Sequence, residues 1–304
     1  MSKMRKMHDV VIPIVTPLTD DDRIDTLSLQ RLTDYLIEQN VDCLYPCGTT
    51  GEMVYLSMDE RMLTVETVVK HAAGRVPVFA QVGAANTHDT ILLARHAVSC
   101  GADGIGVVTP WYFQLSATAL VKFYEEVSRA VPADFPVYLY SIPQNAVNDL
   151  DVSTVERIAA NCPNVIGIKY SAPNMTKLQA FMTIRNGSFD VLVGPDHLYE
   201  AVMAVGGQGV ISGNAMVIPN HYCAIRDAIR QNDWSKATAL QRRTNTLNAI
   251  LCRQNNIGCY KAVLQKLGII STNRMRHPME ELSDEDANAL MQELHAAQYQ
   301  LVAI

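Results

Sequence analysis

Eight short runs of β-branched and apolar residues, each followed by a longer amphipathic stretch, constrain this chain more than any other feature. The runs are Val10–Val15, Asp42–Tyr45, Val76–Val82, Gly104–Val108, Pro136–Tyr140, Val165–Lys169, Val191–Gly194 and Gly209–Ser212. They are apolar almost throughout rather than alternating, the pattern of parallel strands covered on both faces. The stretches between them open with recognisable helix starts. Ser57-Met-Asp-Glu60 is a capping box, in which each end residue satisfies an otherwise orphan amide. Met62, Leu63, Val65, Val68, Val69 and Ala72 then keep one apolar stripe. Thr87 opens a second such helix and Ser116 a third. Strand–helix units repeated eight times predict an α/β fold, a (β/α)8 TIM barrel. An open doubly wound sheet is the alternative, but no Gly-x-Gly-x-x-Gly follows the first run, where a dinucleotide fold would carry it. From Trp234 the strand runs stop, and Ala237–Arg253, Lys261–Leu267 and Asp284–Ala297 read as helices. The expected organisation is a barrel over residues 1–233 and additional C-terminal helices over 234–304 packed on it.

Composition narrows the partners. Of 304 residues, 48% are apolar and 18% charged, enough to fill a core, and the net charge of −6 comes with no basic block. Nucleic acid and anionic membrane are therefore not expected. The apolar run near the N-terminus is interrupted by Pro13 and Pro17 and lacks a cleavage site, so it does not read as a signal peptide. No stretch approaches the roughly 20 apolar residues of a membrane span. Seven cysteines, odd in number and scattered, read as reduced thiols, and a cytoplasmic location is expected.

Barrel enzymes build their sites at the carboxyl ends of the strands. Lys169 stands at such an end, after Val165-Ile-Gly-Ile. Period-two alternation puts Val165, Gly167 and Lys169 on one face, with Gly167 leaving space beneath the lysine. A buried ammonium is costly, and the neutral amine is the form that attacks a ketone carbonyl. Taken alone, a strand-end lysine is more often structural, so its neighbours decide. Gly48-Thr-Thr-Gly-Glu52 offers successive backbone amides and two hydroxyls that can hold a small carboxylate; an ordinary glycine turn is an equal alternative, and Glu52 reads as a buried partner for loop amides. Tyr140, from the adjacent strand, can pass protons in the same lumen or simply fill it. Tyr112, beside Trp111, has packing as its rival role. The eight histidines show no His-x-x-x-His or comparable spacing, so no metal site is expected.

Gly48-Thr-Thr-Gly-Glu52, Tyr140-x-x-Pro143 and Gly167-Ile-Lys169, in this order, resemble the family of dihydrodipicolinate synthases, N-acetylneuraminate lyases and 2-keto-3-deoxy sugar acid aldolases. The likeness runs from Val11 to the helix after Lys261. It implies a class I pyruvate-dependent lyase in which Lys169 forms an imine with pyruvate. It further implies that Thr49 and Thr50, on the loop opened by Gly48, bind the pyruvyl carboxylate, and that Tyr140 relays protons while hydrogen-bonded to Thr49. Tyr112 matches a tyrosine that reaches into a neighbouring subunit's site, and Ile211 a residue whose carbonyl faces pyruvate. The implied assembly is a homotetramer, a dimer of dimers, with no cofactor and no metal.

Two departures bear on the substrate. Dihydrodipicolinate synthases carry an arginine where Asn145 stands, and an amide cannot replace a bidentate cation. Neuraminate lyases carry Asp-Glu where Asp196-His197 stands. Ser171, Asp196, Ser212 and Asn214 then line the second-substrate side, and hydroxyl-rich substrates suit them; Ser212 and Asn214 read equally well as turn residues. The leading expectation is an aldolase for 2-keto-3-deoxy sugar acids, giving pyruvate and an aldehyde. The alternatives are an atypical dihydrodipicolinate synthase, another lyase or dehydratase on the same Schiff-base platform, or a silent keto-acid binding protein. A phosphorylated substrate is a further option, through Gly206, Gly207 and Gly213.

Overall fold

Residues 5–252 and 256–297 are described by a computed structural model. In chain order they form β1 (Asp9–Ile12), α1 (Thr26–Glu38), β2 (Cys43–Leu44), α2 (Met58–Ala72), β3 (Phe79–Gln81), α3 (Thr87–Ser99), β4 (Gly104–Val108) and α4 (Ala117–Arg129). There follow β5 (Val137–Ser141), α5 (Pro143–Ala146), α6 (Val152–Asn161), β6 (Val165–Tyr170), α7 (Met175–Met182), β7 (Asp190–Val193), α8 (Tyr199–Ala204), β8 (Gly209–Ile211), α9 (Asn214–Val217) and α10 (Pro219–Arg230). The last three helices are α11 (Trp234–Leu251), α12 (Asn256–Lys266) and α13 (Asp284–Ala296). Arg253, expected to end the first of them, lies outside the described residues.

All strand pairs are parallel, in the order β2-β1-β8-β7-β6-β5-β4-β3, and a parallel bridge between Leu44 and Val78 closes the ring. The chain is a (β/α)8 barrel, as expected. The Ser57 capping box is present: Ser57 Oγ accepts from the Glu60 amide at 3.2 Å, and Glu60 Oε2 from the Ser57 amide at 2.8 Å. Asn86 and Ser116 cap α3 and α4 in the same way. Strands β1, β2, β3 and β8 are shorter than the corresponding apolar runs, because those runs continue into buried segments that leave the hydrogen-bonded ladder.

Two clusters of buried residues separate inside from outside. A large one joins the outer strand faces to the helices. A small one, including Val11, Tyr45, Phe79, Tyr138, Leu192 and Ile211, fills the lumen. Glycines on the lumen face admit these rings. A Cβ on Gly106 would lie 1.9 Å from the Tyr45 hydroxyl, and one on Gly167 2.6 Å from the Tyr138 ring. The space at Gly167 is thus taken by Tyr138 and is not left open beneath Lys169. Nor does Val165 share the lysine's face. The β5–β6 register slips between Val137 and Tyr138, leaving Ile166 as the extra residue, and Val165 packs outward with Ile168 and Tyr170. A bulge inserts one residue and so inverts the alternation on one side of it.

At the amino-terminal end of the barrel, Asp42 Oδ2 accepts from Arg226 at 2.8 Å, and Arg230 bridges Asp9 and Asp42 at 2.6 and 3.0 Å. His8, Asp9 and Asp42 bring ligand-type atoms within 4.8 Å of one another. The Arg230 guanidinium already supplies the positive charge there. No helix among the described residues is long and apolar enough to cross a membrane.

Candidate active site

Lys169 stands at the carboxyl end of β6 in register with Tyr140 of β5 and Leu192 of β7, and its side chain turns into the lumen at 5% exposure. Its Nζ lies 4.1 Å from the centre of the Tyr140 ring and 5.4 Å from that of Tyr45. Aromatic faces attract a cation without forming a directed ion pair. No ion pair to Lys169 is found among the described residues, so no carboxylate competes for its nitrogen.

Tyr140 is buried, and its hydroxyl lies 3.2 Å from Thr49 Oγ1. Lysine, phenol and threonine therefore meet at one point, from three elements of the barrel. The Thr49 loop is a tight turn: the Gly51 amide donates to Gly48 O, and the Glu52 amide to Thr49 O, each at 3.0 Å. Thr16 Oγ1 holds it from β1's side by donating to Gly51 O at 2.8 Å. Gly48 is buried and Thr50 half-buried beside this turn. Glu52 does not bond the loop's own amides as expected. Its Oε2 accepts from the Arg276 amide at 2.7 Å, and its Oε1 pairs with the Lys261 ammonium. Both partners come from the C-terminal segment, which no local pattern near Glu52 announces.

Over Thr49 opens a cavity of about 310 Å³, lined also by Met53, Val108, Trp111, Ile142 and Asn145. Asn145 sits exposed on α5, at the rim. A second hollow of about 400 Å³ lies between Gly194–His197 and α11, reached by Asn245, Asn248 and Cys252. Asp196 faces it. Its Oδ2 accepts from Asn214 Nδ2, while Oδ1 is buried with no hydrogen-bond partner of good geometry among the described residues. Burial pushes this carboxyl up to about 6, against the pull of Ser212, Asn214 and Tyr222. Asn248 accepts from Tyr222 at 3.1 Å, and its Nδ2 is likewise buried and unpartnered. No arginine or lysine lines either hollow among the described residues.

Ser171 is buried with its hydroxyl packed against Gly194, where a Cβ would come within 2.0 Å. Its carbonyl accepts from Gln144 Nε2 at 2.8 Å, which ties α5 to the end of β6. Ser212 Oγ accepts from the Ala215 amide at 3.0 Å, so it serves the turn before α9. Ile211 belongs to the lumen cluster. Tyr112 stands apart. It is 79% exposed at a φ of 80°, and it meets the edge of Phe113 at 4.9 Å rather than packing on Trp111. Four residues around the site escape sequence reading: Tyr45, Gln144, Lys261 and Asn148, whose Nδ2 donates to Pro110 O and Phe113 O at 2.8 Å each and so shapes the Tyr112 loop. Only Lys261 leaves a local signal, a lysine within an otherwise apolar stretch of helix.

A model of the dihydrodipicolinate synthetase family matches residues 6–297. The chain belongs to this family. Its relatives include the 4-hydroxy-tetrahydrodipicolinate synthase of Acidiphilium cryptum, 36% identical across 86% of this chain and 88% of that protein. Among solved structures, YagE of E. coli K12, a prophage protein of the dihydrodipicolinic acid synthase family in complex with pyruvate, matches with a TM-score of 0.91 at 27% identity. That match covers 97% of this chain and 99% of YagE. A catalytic-lysine mutant of the Ruminococcus gnavus sialic acid aldolase matches at 0.90 and 28% identity, over 97% and 98% of the two chains. Membership of the dihydrodipicolinate synthetase family supports a lyase. The named activities of these relatives differ, which leaves the second substrate to the residues around the barrel mouth.

Proposed function

We propose that the chain is a class I aldolase that holds pyruvate as an imine on Lys169 and cleaves or forms a carbon–carbon bond in a 2-keto-3-deoxy sugar acid. The observation that carries this reading is the buried Lys169 amine, without an ion pair among the described residues, against Tyr140, whose hydroxyl meets Thr49. Neutral Nζ adds to the C2 carbonyl, and Tyr140 gives the departing oxygen its proton so that water leaves. The iminium accepts the electron pair of the C3–C4 bond as it breaks, while the C4 hydroxyl returns a proton to Tyr140 and the aldehyde departs. The enamine takes a proton at C3, and water releases pyruvate and restores the amine. Thr49, Thr50 and the amides opened by Gly48 hold the carboxylate, with the Ile211 carbonyl facing the bound pyruvate. No cofactor or metal enters this scheme.

A rim without arginine or lysine among the described lining residues favours a hydroxylated aldehyde. Asp196 Oδ1 and Asn248 Nδ2, at the second hollow, offer an acceptor and a donor with no hydrogen-bond partner among the described residues, and Asn145 lines the cavity over Thr49. A second reading, 4-hydroxy-tetrahydrodipicolinate synthesis, is favoured by the named relatives such as that of Acidiphilium cryptum. Asn145 separates the two. A charge-assisted hydrogen bond to a substrate carboxylate is worth about 1.5–3 kcal/mol, or roughly one to two orders of magnitude in kcat/KM. The expected result is faster cleavage of 2-keto-3-deoxygluconate or a relative than condensation of pyruvate with aspartate semialdehyde, with Asn145→Arg moving the ratio towards the semialdehyde. A faster semialdehyde reaction in the unaltered protein selects the second reading, and an unmoved ratio in the variant removes Asn145 as the discriminator.

Tyr112 and Phe113 support the expected assembly, since two adjacent exposed rings are a surface that a second copy would cover. In that tetramer Tyr112 enters the partner's site. Native mass spectrometry should give four chains, and Tyr112→Ala should weaken both assembly and turnover. A fully active monomer would remove Tyr112 from the site.

A further inference from the structure

We propose that Lys261 is a positioning residue, whose buried ion pair with Glu52 sets the geometry of the Thr49–Thr50 loop from outside the barrel. The proposal rests on the reading of that loop as the carboxylate site. Glu52 closes the loop in a left-handed conformation, φ 58°, and is 2% exposed, while Lys261 on α12 is wholly buried. Lys261 Nζ also donates to Arg274 O at 2.7 Å, and the Arg276 amide holds the other carboxylate oxygen. The Arg276 guanidinium in turn reaches Glu60, at the start of α2 just beyond the loop. With Thr16 on the opposite side, the turn is gripped between β1 and the C-terminal segment.

Stability alone does not account for such a pair. Desolvation pulls Lys261 below the ordinary lysine range, with the Glu52 carboxylate opposing. Replacing a buried pair by well-packed apolar residues is often neutral or stabilising, so its retention is better explained by the geometry it imposes. That geometry is the placement of two threonines and their amides about one carboxylate, which tolerates little displacement. Lys261 itself has no part in the chemistry, because Glu52 and the Arg274 carbonyl occupy its ammonium.

The test is borohydride trapping of the imine over a range of pyruvate concentrations, in the full chain, with the adduct located by peptide mass. Lys261→Met is compared with the unaltered protein. Because it strands a buried carboxylate, the Glu52→Gln/Lys261→Met double variant is run beside it and carries the test if the single variant does not fold. Half-saturating pyruvate should rise roughly 10- to 100-fold, the equivalent of one or two lost hydrogen bonds, with the maximal adduct at Lys169 unchanged. A merely structural pair would instead lower the folded fraction and the maximal adduct. Half-saturation within about twofold of the unaltered protein, in a folded variant, overturns the proposal, as does a fall in the maximum alone. Absence of trapping in the unaltered protein is a different failure. It overturns the reading of the site, and the positioning role with it.

Discussion

Lys169→Ala should abolish pyruvate trapping and lower turnover on the order of 10⁶-fold, the scale on which losing a covalent nucleophile is felt. Borohydride with pyruvate should add one pyruvyl group to the unaltered chain, on the peptide carrying Lys169, and none to the variant. Two lysines are buried among the described residues, and their surroundings distinguish them. Lys261 is tied to Glu52 and a backbone carbonyl, whereas Lys169 lies over the faces of Tyr45 and Tyr140 with no ion pair among the described residues. Removing Lys169 orphans no carboxylate, so the variant should stay folded and its inactivity can be read as chemistry. Undiminished trapping in Lys169→Ala, or an adduct on Lys261, would assign the imine elsewhere.

Tyr140→Phe should lower turnover by roughly 10²- to 10⁴-fold, the contribution of a positioned acid–base group. The substitution keeps the ring that packs with Val108 and Met53 and removes only the hydroxyl that meets Thr49. The structural cost is one hydrogen bond, about 1 kcal/mol, so the loss belongs to proton transfer. Pyruvate should still be trapped on Lys169, more slowly, because carbinolamine dehydration loses its proton donor while the amine remains. Turnover at the unaltered rate would reduce Tyr140 to a packing residue.

The closeness of Lys169 and Tyr140 was legible because strand order is local and parallel register converts it into neighbours, and the Thr49 contact was implied by the family resemblance. Tyr140 and Lys169 follow one strand apart, so adjacent positions in the barrel were implied. The same reasoning failed at Val165 and Gly167, where one bulged residue inverts the faces and the Tyr138 ring takes the expected space. A bulge has no unique composition, and nothing in Val165-Ile-Gly-Ile announces it. Glu52 was expected to be buried, and it is, but its partners stand more than two hundred positions away. Tyr112 was weighed against packing on Trp111, yet its ring turns outward because Asn148 ties down the carbonyls on both sides of it.

By itself the sequence determined the barrel, its helix caps and the family, since each rests on periodicity or on motifs within one element. Tertiary structure alone decided which distant partners a buried group takes, as with Glu52, whose carboxylate meets Lys261 and the Arg276 amide. It also decided that the rim carries unpaired Asp196 and Asn248 atoms with no arginine among the described lining residues. The reason is physical. Local pattern sets which face of an element is buried, but hydrogen bonds and ion pairs depend on distances between elements, and closure of the ring fixes those distances only once all eight strands are in place.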